Sequence, residues 1–191
     1  MINTTLNILK DKLNDYFRIK AGTDKDLVNY IVSDGTDPGV FPKNTVAPFL
    51  INISEDRQFR NADQFVGSVT EGIRTNYFPE IRIELLVLFV AKFNDYDQSL
   101  KFISYVIKYF QANRVFNPEN TPRLYDEQIE KLTLELISIP LEEQNQVWHS
   151  LNTSYLPSVL YKIRLLSFND EETIQFTGTG IEETVTQIRH K

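Results

Sequence analysis

The run IEKLTLELISIP at residues 129–140, followed by LEEQNQVWHSL at 141–151 and SYLPSVLYKIRLLSF at 154–168, decides the fold. In the first run Leu132, Leu134 and Leu136 alternate with Lys131, Thr133 and Glu135, the period of a strand that buries one face. In the third, Val159, Tyr161, Ile163 and Leu165 alternate with Lys162 and Arg164, so the two strands offer matching apolar faces to one core. Pro140 breaks the first strand, and Glu142 and Glu143 occupy the first turn of the middle segment, where negative charge suits a helix N-terminus. The unit reads as strand, short helix, strand over 129–139, 141–151 and 157–168. Its helical connection permits a parallel pair and equally an antiparallel one.

Moving upstream, Pro79 to Phe93 is the strongest strand. Ile81, Ile83, Leu85, Val87 and Phe89 keep one face, while the other changes from Arg82 and Glu84 to Leu86, Leu88 and Val90. The second half is therefore expected to be central and covered on both faces. Asn94 or Asp95 caps a helix running to about Ala112, with Leu100, Ile103, Ile107 and Phe110 as its stripe and Tyr105, Val106 and Tyr109 widening it. NRVFNPENTPRL at 113–124 carries two prolines and an asparagine-rich tip, and reads as a projecting loop or hairpin. Residues 2–20 form a first helix on Ile2, Leu6, Leu9, Leu13 and Phe17, with Lys10, Asp11, Lys12, Asn14 and Asp15 on its polar side. LVNYIV at 27–32 is a short-strand candidate, and Pro48 opens a brief strand to Ile53. The fold class is α/β (α+β): one domain over 1–168 with a mixed β-sheet flanked by helices, then a C-terminal extension over 169–191.

Composition narrows the chemistry. The chain has 191 residues, no cysteine and a net charge of −6. Disulfides and thiolate metal sites are excluded, and the absence of cysteine suits a reducing cytoplasm. The acidic balance argues against a general affinity for nucleic-acid phosphates. After Phe168 five acids (Asp170, Glu171, Glu172, Glu182, Glu183) face two bases (Arg189, Lys191), so −3 of the −6 lies in the extension. That segment is expected either to fray or to pack on a neighbouring subunit. The N-terminal run MINTTLNILKDKLNDYF lacks the continuous apolar core of a secretory signal, and Leu85 to Ala91 is too short to cross a bilayer.

No motif asks for catalysis. Gly178 and Gly180 flank a threonine like the start of a phosphate loop, but the third glycine and the lysine are missing. Asn94, Asp95 and Asp97 resemble a hard-cation cluster, yet their place at a helix start explains them as cap and first-turn residues. His149 beside Trp148 has no sequence-near second histidine, and His190 lies near the chain end, so a paired-histidine zinc site is not indicated. Lys43, Arg57, Arg60 and Arg74 are interleaved with Glu55, Asp56, Asp63 and Glu71, which reads as a mixed-charge surface. The nucleophile motif GxSxG is absent. The expectations are no enzyme, no cofactor and no metal.

Residues 54–78, SEDRQFRNADQFVGSVTEGIRTNYF, mix charge, glycine and isolated aromatics without a period. Long irregular segments in compact domains are usually functional, and Phe59, Phe65, Tyr77 and Phe78 suit a partner-facing stretch better than a solvated loop. Aromatics that fold back onto their own domain are the other reading.

YLPSVLYKIRLL at 155–166, the run IEKLTLELISIPLEEQNQVWHSL before it and LKFISYVIKYFQANRVF at 100–116 together resemble the cap, or tail-terminator, proteins of extracellular contractile injection systems of the antifeeding-prophage type. The resemblance covers roughly residues 1–168. It implies a structural protein that forms a sixfold ring on the last disc of the inner tube, holds the last sheath ring and stops growth by closing a head-to-tail ring. The implied partners are further copies of the chain (a homohexamer), tube protein and sheath protein, with no nucleic acid and no membrane insertion. The implied setting is the bacterial cytoplasm during assembly and then the finished particle. Exposure arguments, separate from the resemblance, nominate Arg57, Phe59, Phe65 and Tyr77 in the irregular stretch and Val115, Phe116 and Leu124 in the proline-containing excursion as ring or tube contacts. A phage tail-completion or neck factor and a small-ligand enzyme are the alternatives.

Overall fold

Helix α1 (Ile2–Ala21) begins the chain and ends at Gly22, whose φ of 63° lets its N–H close on the Arg18 carbonyl. A side chain there would be strained, since only glycine adopts this left-handed cap without cost. The computed structural model describes residues 1–31, 41–56, 68–70, 73–75 and 82–167, with the backbone alone at 68–70, 73–75 and 167. Along α1, Ile8, Leu9, Leu13 and Phe17 are buried, and so is Asn14, which the periodicity places on the polar side. The correction has a clear cause. The Asn14 amide donates to the Val28 carbonyl at 3.1 Å and accepts from the Val28 N–H at 2.8 Å, taking the place of a strand neighbour. Val28 in turn makes a single parallel bridge to Val46.

Strands β1 (Thr45–Glu55), β2 (Ser68–Thr70), β3 (Ile73–Thr75), β4 (Arg82–Lys92), β5 (Val115–Phe116), β6 (Ile129–Ile137) and β7 (Ser158–Ser167) alternate with helices α2 (Tyr96–Ala112) and α3 (Leu141–Ser150). Five of the strands form one sheet in the order β1-β4-β7-β6-β5, and β2 pairs with β3 separately. Every ladder is antiparallel, including the β6–β7 pair joined by α3, so the choice left open by that connection falls to the antiparallel form. The expected mixed sheet is thus antiparallel throughout its ladders, and its parallel element is the lone Val28–Val46 bridge. The chain divides into two units: Met1–Phe59 with Glu80–Phe168 holds the five-stranded sheet, and the β2–β3 hairpin belongs to the second.

β1 starts three residues before Pro48, which pairs with Phe89 inside the strand. The Val46 N–H donates outward to the Leu27 carbonyl, so by the period of two the nitrogen of Pro48 also faces the outer edge. A missing N–H is tolerated there because no ladder needs it.

The two faces of the sheet differ as the alternation requires. On one, Leu85, Val87 and Phe89 of β4, Val159, Tyr161 and Ile163 of β7 and Leu132 and Leu134 of β6 pack under α1 and α2. On the other, Leu88, Val90 and Leu160 meet Trp148 of α3 and Phe41. The second half of β4 is therefore covered on both faces, as its apolar run predicts. In α2 the buried stripe is Phe102, Ile103, Val106 and Phe110, while Leu100 is exposed. The helix is turned by Phe102, which stacks on Phe93 at 4.5 Å and 5°, and by Ser99, whose hydroxyl accepts from the Phe93 N–H.

Candidate interaction surface

The excursion between α2 and β6, expected as a projecting loop or hairpin, pairs β5 with β6 antiparallel and is clamped down beyond that pair. Asn117 and Asn120 exchange side-chain-to-backbone bonds, each N–H reaching the other's Oδ1 at 3.0 Å, and Asn120 Nδ2 donates to the Val115 carbonyl at 3.1 Å. Asparagine supplies such local acceptors at little conformational cost, so the tip is a closed turn. A single 3-10 turn over Pro122–Leu124 then returns the chain to α1. There Arg123 Nη1 meets Asp11 Oδ2 at 2.8 Å, and Glu127 accepts from Thr4 Oγ1 at 2.8 Å and from the N-terminal amine. Those two donors hold the Glu127 carboxyl below its ordinary value.

This geometry sorts the nominated contact residues. Phe116 is 3% exposed and Leu124 0% exposed, both in the core under α1 and α2, so their apolarity serves the chain's own packing. Val115 is 42% exposed, and the neighbouring Tyr125 is 75% exposed. The large apolar or aromatic side chains that the excursion leaves exposed are therefore Val115 and Tyr125, the latter missed because a tyrosine in a polar run carries no periodic signal. Arg57, Phe59, Phe65 and Tyr77 lie outside the described residues, as do Arg60, Gly178, Gly180 and His190. Within the irregular stretch the structure adds the β2–β3 hairpin, where Thr70 pairs with Ile73. Its strands of three residues are too short to show a period.

Asp95 is the cap of α2, accepting from the Asp97 N–H at 3.1 Å, and Asn94 donates its N–H to Asn44 Oδ1. Glu142 and Glu143 occupy the first turn of α3 and His149 its last, as helix polarity favours. No group of three or more metal-type ligands occurs among the described residues, and no described helix is long and apolar enough to cross a membrane.

The outer sheet face changes character along its strands. Beyond the apolar patch under α3, Arg164 of β7 holds Glu84 of β4 at 2.8 Å and Glu135 of β6 at 3.0 Å, with Asp56 at 4.0 Å, and Lys162 reaches Glu84 at 3.5 Å. The bond to Glu84 and the surrounding carboxylates push the Arg164 guanidinium further up from its already high value. Under α3 itself, Trp148 Nε1 and Ser158 Oγ are buried without a hydrogen-bond partner among the described residues. Both residues line a cleft of about 320 Å³ with Ile137, Ile139 and Gln144. On the helix face a second groove, of about 350 Å³, runs between Phe110 and Arg114 on one side and Leu134 and Leu136 on the other, above Tyr161. Among the described residues no constellation of acid, base and nucleophile converges in either.

Comparison with known proteins adds three findings. The sequence profile of the Pvc16 N-terminal domain matches residues 4–178. The cap of the anti-feeding prophage, a tube-terminating cap, is similar over 93% of this chain and 59% of its own, at 15% identity and a TM-score of 0.53. The sheath/tube terminator of the extracellular contractile injection system PVC, in its extended state, is similar over 93% of this chain and 63% of its own, at 18% identity and a TM-score of 0.51. The chain thus spans about three fifths of the length of those structures and shares their fold. No curated protein matches it in sequence.

Proposed function

The chain belongs to the Pvc16 N-terminal domain family, and on that footing we propose that it caps a contractile injection particle, ending its tube and sheath. The agreement of family and fold carries this reading: the profile spans residues 4–178, and the same region shares its architecture with two terminating caps. Copies of the chain close a sixfold ring on the last tube disc, hold the last sheath ring and so set particle length. The work is done by binding energy and closure, without turnover. In a head-to-tail ring each subunit offers two different patches, so a ring that closes leaves no free patch for further growth. Val115 and Tyr125 supply one patch, and Arg57, Phe59, Phe65 and Tyr77 contribute to tube or ring contacts. Assembly takes place in the bacterial cytoplasm, with neither nucleic acid nor membrane insertion required.

The test is to polymerise tube protein with and without the purified chain and measure tube lengths and ends by electron microscopy. Rings at one end and a narrowed length distribution are expected. Unchanged lengths with bare ends overturn the reading. An Arg57→Glu/Phe59→Ala variant that still caps tubes of normal length removes the irregular stretch from the contact, while leaving the cap itself in place.

A further inference from the structure

The open edge of β6 is built to receive a strand. β5 is two residues long and covers only Leu132 and Thr133, after which the Leu134 N–H donates to the Arg114 carbonyl. By the period of two, the N–H and C=O of Leu136 point to the same outer side, where no further strand pairs among the described residues. From Glu135 to Ile137, where β6 ends ahead of Pro140, this edge is bare among the described residues. An edge of this kind is a template for another chain, and proteins usually blunt it with charge, proline or a cover. Here the outward residue is instead apolar: Leu136 is 48% exposed.

The surroundings supply what an added strand needs. Its side chains would point alternately to the two sheet faces, and an apolar recess flanks this edge on each. On the helix face lies the groove between Phe110 and Leu136 above Tyr161. On the other face lies the cleft beside Ile137, Ile139 and Trp148, and Leu136 borders both. At the helix-face groove stands Arg114, exposed and in no ion pair among the described residues; Glu135 lines the same groove, but its carboxylate is held by Arg164. The segment 134–140 of a second copy carries one carboxylate, Glu135, which is held by Arg164, so it does not complement this charge.

We propose that the β6 edge between Leu134 and Pro140 is a strand-addition site for an extended segment of a different protein, apolar on both faces and bearing a carboxylate opposite Arg114. Backbone bonds to Leu136 give the segment its register, and the two recesses and Arg114 select its side chains. The site follows from the edge geometry whether or not the chain caps a tube.

The probe is the acetylated peptide Thr-Val-Val-Val-Asp with a free terminal carboxylate, titrated into the 15N-labelled full chain by NMR. Its amidated counterpart with lysine in place of the aspartate is the control. The amides of Glu135, Leu136 and Ser138 should shift, the Leu136 amide should exchange more slowly, and the carboxylate peptide should bind at least about tenfold more tightly than the lysine peptide. Arg114→Glu, at an exposed position, should abolish that preference with the fold intact, and Leu136→Pro should abolish binding to the edge. Absence of any shift at these amides at millimolar peptide, or equal binding of the two peptides, overturns the proposal. Protection of the Leu136 amide that rises with protein concentration and no peptide present also overturns it, because the occupant is then a second copy.

Discussion

Arg164 Nε of β7 lies 2.8 Å from Glu84 Oε1 of the neighbouring β4, directly across the antiparallel pair. The same guanidinium reaches Glu135 on its other side at 3.0 Å, so one side chain ties three adjacent strands together on the sheet face away from α1 and α2. Glu84 is the more enclosed partner, and Lys162 is its second cation.

Replacing Arg164 with methionine should therefore destabilise the fold by about 1–2 kcal/mol, less than the loss of a fully buried pair because the guanidinium is partly solvated. Arg164→Met combined with Glu84→Gln should recover part of that loss, since the more enclosed of the two glutamates that faced Arg164 is then no longer charged. Urea unfolding of the two single variants and the double variant measures the coupling; strictly additive losses would show that the pair contributes nothing of its own.

Leu124→Ala should cost about 2–5 kcal/mol, as expected for a fully buried leucine. Val115→Asp should leave the melting temperature within about 2 °C, a surface effect, and weaken only association. Thermal melts beside capping assays separate the two roles. A fold that tolerates the loss of Leu124 would contradict its place in the core.

Trp148 is 5% exposed and its Nε1 has no hydrogen-bond partner among the described residues. Trp148→Phe removes a buried donor that is paired to nothing, so its stability change should stay within about 1 kcal/mol, whereas Trp148→Ala should cost about 3–5 kcal/mol. Chemical denaturation followed by far-ultraviolet circular dichroism reads both. Equal losses for the two variants would mean that the indole nitrogen, and not the ring's bulk, holds α3 to the sheet.

Burial pushes the Tyr30 and Tyr161 phenols up to about 12, with Asp11 adding to the effect at Tyr30 and Arg114 opposing it at Tyr161. The unfolded chain ionises these groups near pH 10, so above that pH it binds fewer protons than the folded one and stability falls until about pH 12. Below pH 10 the contribution is fully present. Absorbance titration at 295 nm should show phenols that ionise late, and Tyr161→Phe should reduce the alkaline loss of stability. Uniform titration of all nine tyrosines near pH 10 in the folded chain would contradict this.

Much of the architecture is legible in local chemistry. Alternation in 129–139 and 157–168 places Leu132, Leu134, Tyr161 and Ile163 on one face and Glu135, Lys162 and Arg164 on the other, as the ladder confirms. The ends of α1, α2 and α3 follow from Gly22, Asp95 and Pro140 to within a residue or two. These signals are local because a strand's faces and a helix's ends depend on residues a few positions apart. The contact residues were less legible: Phe116 and Leu124 look as available as Val115 until the chain is folded, because hydrophobicity alone does not say whether the apolar neighbour is one's own core or another protein.

Local pattern suffices for α1, α2, α3 and the longer strands β1, β4, β6 and β7, and for which of their side chains share a face, but not for β2, β3 and β5, which are two or three residues long. Only the tertiary structure decided that all the ladders are antiparallel, that Asn14 is a buried clasp on Val28, that the excursion is pinned to α1, and that the β6 edge stays open between two recesses. Each of these rests on which distant segment supplies a hydrogen-bond partner. Chain order leaves that choice free, and the packing of the two sheet faces makes it.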